Sequence, residues 1–234
     1  KHDISRLIAY YKIQMEKLAV HVIPEEATAE KVLAGNYDAV IVATGAPALP
    51  ATAKGAKEYS GKVMTIFDYA TNAETLELGD TVLIVGGCFM NLEIALSLAR
   101  KGKKVIVSSR RGAIRGIMEL GDDNSSPQQQ RLSVLLSDFM RSGQVKIHYG
   151  KAISEITATG AVLKDQKTKE DLDVSCDNVL MCRGYHGQPA IFKELQGKVP
   201  EIHLVGDATL KLRCDDKRVI GNAITDAWGI ANSI

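Results

Sequence analysis

The residues best placed to do chemistry are Val85-Gly86-Gly87-Cys88-Phe89-Met90-Asn91-Leu92-Glu93 and, further along, Ser108-Ser109-Arg110-Arg111. The first stretch follows an apolar run, Thr81-Val82-Leu83-Ile84-Val85, and opens a helical pattern over residues 89–101 that Gly102 closes. A glycine-rich turn between a strand and a helix is the setting in which a dinucleotide diphosphate binds, because the free N–H groups and the dipole of the helix start attract an anion. In the G-x-G-x-x-G register the glycine positions fall on Gly86, Cys88 and Asn91, so only the tight-turn glycine is kept. The cysteine is expected to push a diphosphate outward and the asparagine to separate helix from strand, while the helix donors depend on neither. Gly86, Gly87, Cys88, Phe89, Met90 and Glu93 form the candidate diphosphate set.

At the end of the next strand an NAD-type site places an acid to accept from the ribose 2′-hydroxyl. Here stand Ser109, Arg110 and Arg111. A hydroxyl beside two guanidinium groups suits a 2′-phosphate, which arginine binds through charge-assisted, bidentate bonds. NADP(H) therefore fits better than NAD(H), against the plain reading of the two arginines as a solvated basic corner. Two further signals are Ala43-Thr44-Gly45 after the strand pattern of residues 37–42, and Gly206-Asp207 after that of residues 202–205. Small residues behind a buried strand let a large planar cofactor approach the backbone; the plain alternative is a turn, with Asp207 as a cap.

The elements that must hold these residues alternate between strand and helix. Residues 4–18 carry apolar side chains at steps of three and four, with Asp3 as expected N-cap. Residues 20–23 read as a short strand, 28–34 as a helix, and 81–107 as a strand–helix–strand unit of the length expected for βαβ. Residues 112–126 read as a mobile loop. Ser126-Pro127-Gln128-Gln129 reads as the start of a helix ending near Gly143. Short strands follow at 145–149, 152–157, 161–163, 172–174 and 177–182, and a helix over 218–233 on which Trp228 is expected to pack. The spacing favours a parallel sheet.

Composition excludes several classes. A chain of 234 residues with 45% hydrophobic and 24% charged residues folds into one or two domains. Its 29 Lys+Arg against 28 Asp+Glu favour neither nucleic acid nor an anionic membrane. No apolar run approaches the ~20 residues of a spanning helix, and the N-terminal residues show no apolar signal region. Cys88, Cys176, Cys182 and Cys214 lack metal-type spacing and are too few for a disulfide framework, which points to a reducing cytoplasm. His2, His21, His148, His186 and His203 do not cluster, so no metal is expected. Cys88 reads either as a reactive thiol at a helix start or as a small residue tolerated in a degenerate turn.

In this order the pieces resemble the C-terminal part of the NADH:flavin oxidoreductases related to 2,4-dienoyl-CoA reductase, 2-enoate reductase and trimethylamine dehydrogenase. The matching residues are Leu7-Ile8-Ala9-Tyr10-Tyr11, residues 37–45, 85–93, Ser109-Arg110-Arg111, Gly206-Asp207 and residues 220–234. The resemblance implies an α/β fold with two Rossmann-like domains, an NAD(P)H-type domain of residues 61–184 inserted in a truncated FAD-type domain of residues 1–60 and 185–234. It places Ala43, Thr44, Gly45, Gly206 and Asp207 near FAD, and Ser109, Arg110 and Arg111 at the adenosine ribose of NADPH. The first βαβ unit of the FAD-type domain is not found, nor are the FMN barrel and the cysteines of an iron–sulfur cluster, so FMN and cluster are expected only outside this chain and FAD in the full-length parent. The implied activity is transfer of reducing equivalents from NAD(P)H through flavin to an enoate- or enoyl-CoA-like substrate, with the flavin-bearing catalytic domain of the parent polypeptide as partner. No catalytic residue is assigned, and this chain alone is expected to be inactive and monomeric. The competing reading is a degenerate scaffold, or an ADP-binding domain of an electron-transfer flavoprotein without nicotinamide chemistry.

Overall fold

In the run Thr81-Val82-Leu83-Ile84-Val85 the last four side chains are all buried, which requires a strand covered on both faces. The computed structural model, which describes residues 2–112, 127–209 and 220–234, places it as β3 (Thr81–Val85) in the middle of a five-stranded parallel sheet. The sheet order is β2 (Val63–Thr65), β9 (Asn178–Met181), β3, β4 (Lys104–Ser109), β5 (Val145–Tyr149). From β3 the chain steps outward through α4 (Phe89–Arg100) to β4 and through α5 (Pro127–Arg141) to β5, then returns through β9 to the other side of β3. The strand order therefore reverses between β3 and β9, where an open α/β sheet forms a crevice at its carboxyl edge.

Alternate residues of β3 feed two cores. Val82 and Ile84 pack with α3 (Ile66–Asn72), α4 and α5 through Tyr69, Leu92, Leu96 and Leu136. Leu83 and Val85 face an antiparallel meander of β6 (Lys151–Thr157), β7 (Gly160–Asp165) and β8 (Asp171–Ser175), meeting Ile156, Leu163 and Val174. The result is three layers: helices, parallel sheet and meander.

The chain divides into two compact units, residues 1–40 with 190–202, and residues 41–189 with 203–234. The first holds α1 (His2–Lys17), α2 (Ala29–Ala34) and α6 (Ala190–Leu195), with α2 against α6. The second holds the layered sheet, a 3₁₀ turn (Gly206–Thr209) and α7 (Ile220–Ala231) packed on that turn. β1 (Ala39–Val42) and β10 (Glu201–Leu204) form a two-stranded sheet.

Three local expectations are corrected, and three short elements are added. Residues 20–23 form no strand: Val20, Val22 and Ile23 are exposed and no described strand pairs with them. Asp3 lies inside α1, which starts at His2, and does not cap it. Trp228 is 70% exposed, because α7 buries none of its side chains. The short β2–α3 pair and α6 are additional elements that no strong periodicity announces. Ser126, most of the expected loop at 112–126, and Arg218 lie outside the described residues.

Candidate nucleotide site

The turn after β3 is held by both neighbouring strands. Gly86 N–H donates to the Ser108 carbonyl at the end of β4 (2.8 Å), and Cys182 N–H donates to the Val85 carbonyl from the β9 side (2.9 Å). Gly86 has φ +119°, and a Cβ there would lie 2.8 Å from Asn91 Nδ2 and 3.1 Å from the Cys182 carbonyl. Only glycine fits this position. Asn91 is fully buried, and its Nδ2 donates to the Gly86 carbonyl at 2.8 Å and, more weakly, to the Val85 carbonyl at 3.4 Å. The asparagine thus stitches α4 to the turn where the sequence suggested it would hold them apart. Its Oδ1 is buried without a hydrogen-bond partner. Cys88 caps α4 in extended backbone conformation with no side-chain cap bond, and the first turn carries no acid. The amino end of α4 keeps its donors and its positive pole for an anion.

A cleft of about 740 Å³ opens at the carboxyl ends of β3, β4 and β9. Of the sequence-derived candidates it is lined by Gly86, Gly87, Cys88, Ser109, Arg110 and Arg111. Arg110 and Arg111 are exposed, Ser109 is buried, and the Arg111 carbonyl accepts from Gly150 N–H (2.9 Å). Phe89, Met90 and Glu93 are not among its lining residues. Phe89 and Met90 pack on the helix-side core, with Tyr185 Oη donating to Met90 Sδ (3.7 Å), and Glu93 lies half-buried further along α4.

Sequence reasoning missed part of the lining. Lys151, Cys182 and Arg183 also face the cleft. Cys182 and Arg183 follow the strand beside β3, and only the topology makes them neighbours of the turn. Lys151 Nζ pairs with Asp165 (2.7 Å), both side chains about a fifth exposed. That hydrogen bond, with those from Thr168 N–H and Lys167 N–H, holds the Asp165 carboxyl well below the ordinary carboxylate range. Ser108 Oγ donates to the Lys151 carbonyl (2.8 Å), tying the end of β4 to the start of the meander. On β5, burial lowers the pKa of His148, assisted by the charges of Lys146 and Lys151.

The second set of candidates gathers elsewhere in the same unit. Val205 N–H donates to the Val42 carbonyl (3.0 Å), bringing together the ends of the strands that precede Ala43-Thr44-Gly45 and Gly206-Asp207. Thr44 Oγ1 donates to the Gln188 carbonyl (2.5 Å), and Gln188 N–H donates to the Gly45 carbonyl (3.0 Å). Gly206 begins the 3₁₀ turn, its carbonyl accepting from Thr209 Oγ1 (2.8 Å), and leaves Asp207 exposed.

A family model described as pyridine nucleotide-disulphide oxidoreductase matches residues 2–224. Cinnamate reductase of Clostridium sporogenes is 25% identical over 236 residues, covering 100% of this chain and 32% of that enzyme. Bilirubin reductase of Mediterraneibacter gnavus is 26% identical over 238 residues, covering 99% of this chain and 33% of that enzyme. The chain therefore spans about a third of the length of these curated relatives. Among solved structures, a 2-naphthoyl-CoA reductase complex with 2-naphthoyl-CoA superposes with a TM-score of 0.75 at 24% identity, over 100% of this chain and 32% of that one.

Proposed function

Starting from a chain that belongs to the pyridine nucleotide-disulphide oxidoreductase family, we propose that residues 61–184 are its NAD(P)H-binding domain, with NADP(H) in the cleft beside β3. Residues 1–60 and 185–234 are then parts of the FAD-type domain of a flavin-dependent oxidoreductase. The observation that carries this reading is the convergence of Gly86, Gly87, Cys88, Ser109, Arg110 and Arg111 on one cleft at the point where strand order reverses. Insertion of one domain in the other is supported by the connecting segments, which run side by side: Leu49 N–H bonds the Gly184 carbonyl (2.9 Å) and His186 N–H the Pro47 carbonyl (3.2 Å).

The residues present fit a dinucleotide. The start of α4 and the turn at Gly86 and Gly87 receive the diphosphate, Asn91 keeps that turn rigid, and Arg110 and Arg111 receive the 2′-phosphate. Ala43, Thr44, Gly45, Gly206 and Asp207 form the surface toward FAD. The nicotinamide and the flavin supply hydride and electron transfer when bound, while the protein supplies binding and orientation. The relatives named for cinnamate and bilirubin reduction support an unsaturated, enoate- or enoyl-CoA-like final acceptor, reduced at a flavin-bearing catalytic domain of the parent polypeptide.

Calorimetric titration of the chain with NADPH, NADH, ADP and FAD at low salt tests the reading. NADPH is expected to bind more tightly than NADH. Replacing both Arg110 and Arg111 by alanine should weaken NADPH on the order of ten- to a hundredfold, the worth of a charge-assisted contact, and leave NADH nearly unchanged. Binding of ADP without nicotinamide or phosphate selectivity, or silence from all four, overturns it in favour of a scaffold.

A further inference from the structure

A second cavity, of about 340 Å³, lies at the opposite edge of the parallel sheet, beside the residues that lead into β3 and β4. It shares no lining residue with the nucleotide cleft. Leu78 and Leu98, 8% and 2% exposed, give it an apolar wall that the more open Leu76 extends to the surface. Tyr69 of α3 lines it too, 3% exposed and with its ring in the helix-side core. The Tyr69 hydroxyl makes no hydrogen bond, yet it is not sealed from the cavity. A phenol hydroxyl so far buried ordinarily has a partner.

The rim carries charge. The last carbonyls of α4 are closed by other groups: Lys101 N–H bonds the Ser97 carbonyl, Gly102 N–H the Ala99 carbonyl and Lys103 N–H the Leu98 carbonyl, with Gly102 at φ +83°. Gln144 Nε2 adds a second bond to the Ala99 carbonyl (2.6 Å). The ammonium groups of the two lysines are thus not taken up in capping the helix. Lys103 is committed elsewhere, donating to the Leu78 carbonyl (2.9 Å) and pairing with Asp80 (3.6 Å). Lys101 Nζ makes only a long bond to the Ala73 carbonyl (3.4 Å) and gives up no ion pair by turning to an anion. Glu77, exposed on the same rim, is the opposing charge.

We propose that this cavity binds a small amphipathic carboxylate, of the kind a short-chain fatty acid represents. The alkyl chain covers Leu76, Leu78 and Leu98, while the carboxylate accepts from Tyr69 Oη and pairs with Lys101. A water molecule could satisfy the hydroxyl but would leave the leucines uncovered; a purely apolar guest would cover them and leave the hydroxyl and the ammonium unmet. The volume is that of a small-molecule site, with an apolar wall and few polar groups. The inference does not rest on what the nucleotide cleft binds.

The test is titration of the ¹⁵N-labelled chain with hexanoate, followed by amide chemical shifts, with hexanol and acetate as controls. Saturable shifts are expected at residues 69, 76–78 and 98–103 and not at Gly86 or Gly87, with both controls binding at least about tenfold more weakly. Tyr69→Phe keeps the ring in the core and removes only the unpartnered hydroxyl; it should weaken hexanoate about tenfold. Lys101→Met should weaken it about threefold and reduce the salt dependence, Glu77→Gln should tighten it, and Leu76→Trp should fill the mouth and abolish binding. Hexanol binding as well as hexanoate, shifts that do not saturate or that scatter over the surface, Tyr69→Phe binding as wild type, or Glu77→Gln weakening the complex overturns the proposal. The wild-type shift map and the two controls decide the matter even where a variant fails to fold.

Discussion

Asn91 shows how a departure from a sequence pattern is absorbed by the structure. By pattern it replaces a packing glycine; in the fold its amide fastens the start of α4 to the Gly86 carbonyl at 2.8 Å. The substitution that rebuilds the fingerprint, Asn91→Gly, is therefore expected to damage the turn, as is Asn91→Ala. Loss of this buried hydrogen bond should cost about 1–2 kcal/mol, read as a lower urea midpoint with unchanged slope. Cys88→Gly, which removes a side chain from the phosphate path without breaking a cap bond, is expected to tighten NADPH in the same calorimetric assay. Both outcomes turn on contacts invisible in the sequence, where Asn91 reads only as a missing glycine. His148 gives a pH-dependent counterpart. Its folded pKa lies below that of the unfolded imidazole, about 6.5, because burial and the neighbouring Lys146 and Lys151 oppose its charge. The unfolded chain then binds the extra proton first, so this contribution to stability is complete above that value and is lost as pH falls through it. The urea midpoint should fall between about pH 7.5 and 5, and His148→Gln should flatten the fall. An unchanged slope in the variant would exclude His148 as its source.

Among the elements, those with a strong local signal were legible. β3 was marked by its apolar run, α4 by the glycines on either side of it, and α5 by a proline at its first residue. The turn connecting them could be located, but not the strand that flanks it, because β9 reaches β3 only after the entire meander has intervened. Short elements defined by tertiary partners left little trace. β2 has three residues, and α3 follows it without a break. What starts α3 is a reciprocal capping box: Thr65 Oγ1 accepts from Asp68 N–H (3.0 Å), and Asp68 Oδ2 accepts from Thr65 N–H (3.2 Å). Because α3 contributes the buried Ile66 and Tyr69 to the helix-side core, this cap matters beyond its own turn. Thr65→Ala should lower stability by about 1 kcal/mol, measured by urea unfolding, whereas Thr65→Ser should retain most of it. Equal loss in both would mean that the methyl group, not the hydroxyl, is what the site requires. The failed strand at residues 20–23 teaches the converse: β-branched residues make a strand only where another strand accepts their hydrogen bonds.

For the whole molecule, burial is divided unevenly between the two units. The larger unit holds both hydrophobic cores. In the smaller, Leu195 is the one hydrophobic side chain buried among the described residues, while Ile4, Ile8, Ile13 and Met15 of α1 are 43–54% exposed. A helix gains little stability from backbone bonds alone; most comes from an apolar face that is covered. Hydrogen exchange followed by mass spectrometry should therefore rank the amides of α1 and α2 as the least protected helical ones and those of β3, β4 and β9 as the most. The opening free energies should differ by about 3 kcal/mol or more, which is over a hundredfold in rate. A concentration series separates the two ways this expectation could fail. If α1 is protected only at high protein concentration, its apolar residues are being covered by another copy, as exposed hydrophobic patches tend to be. If it is protected equally at all concentrations, the helix is held within the chain itself, and the division of stability argued from burial is wrong. Slow exchange at β3 and β9 in either case would still mark the Gly86 turn as the rigid end of the molecule, which is the property a phosphate site needs if its donors are to be in place before the anion arrives.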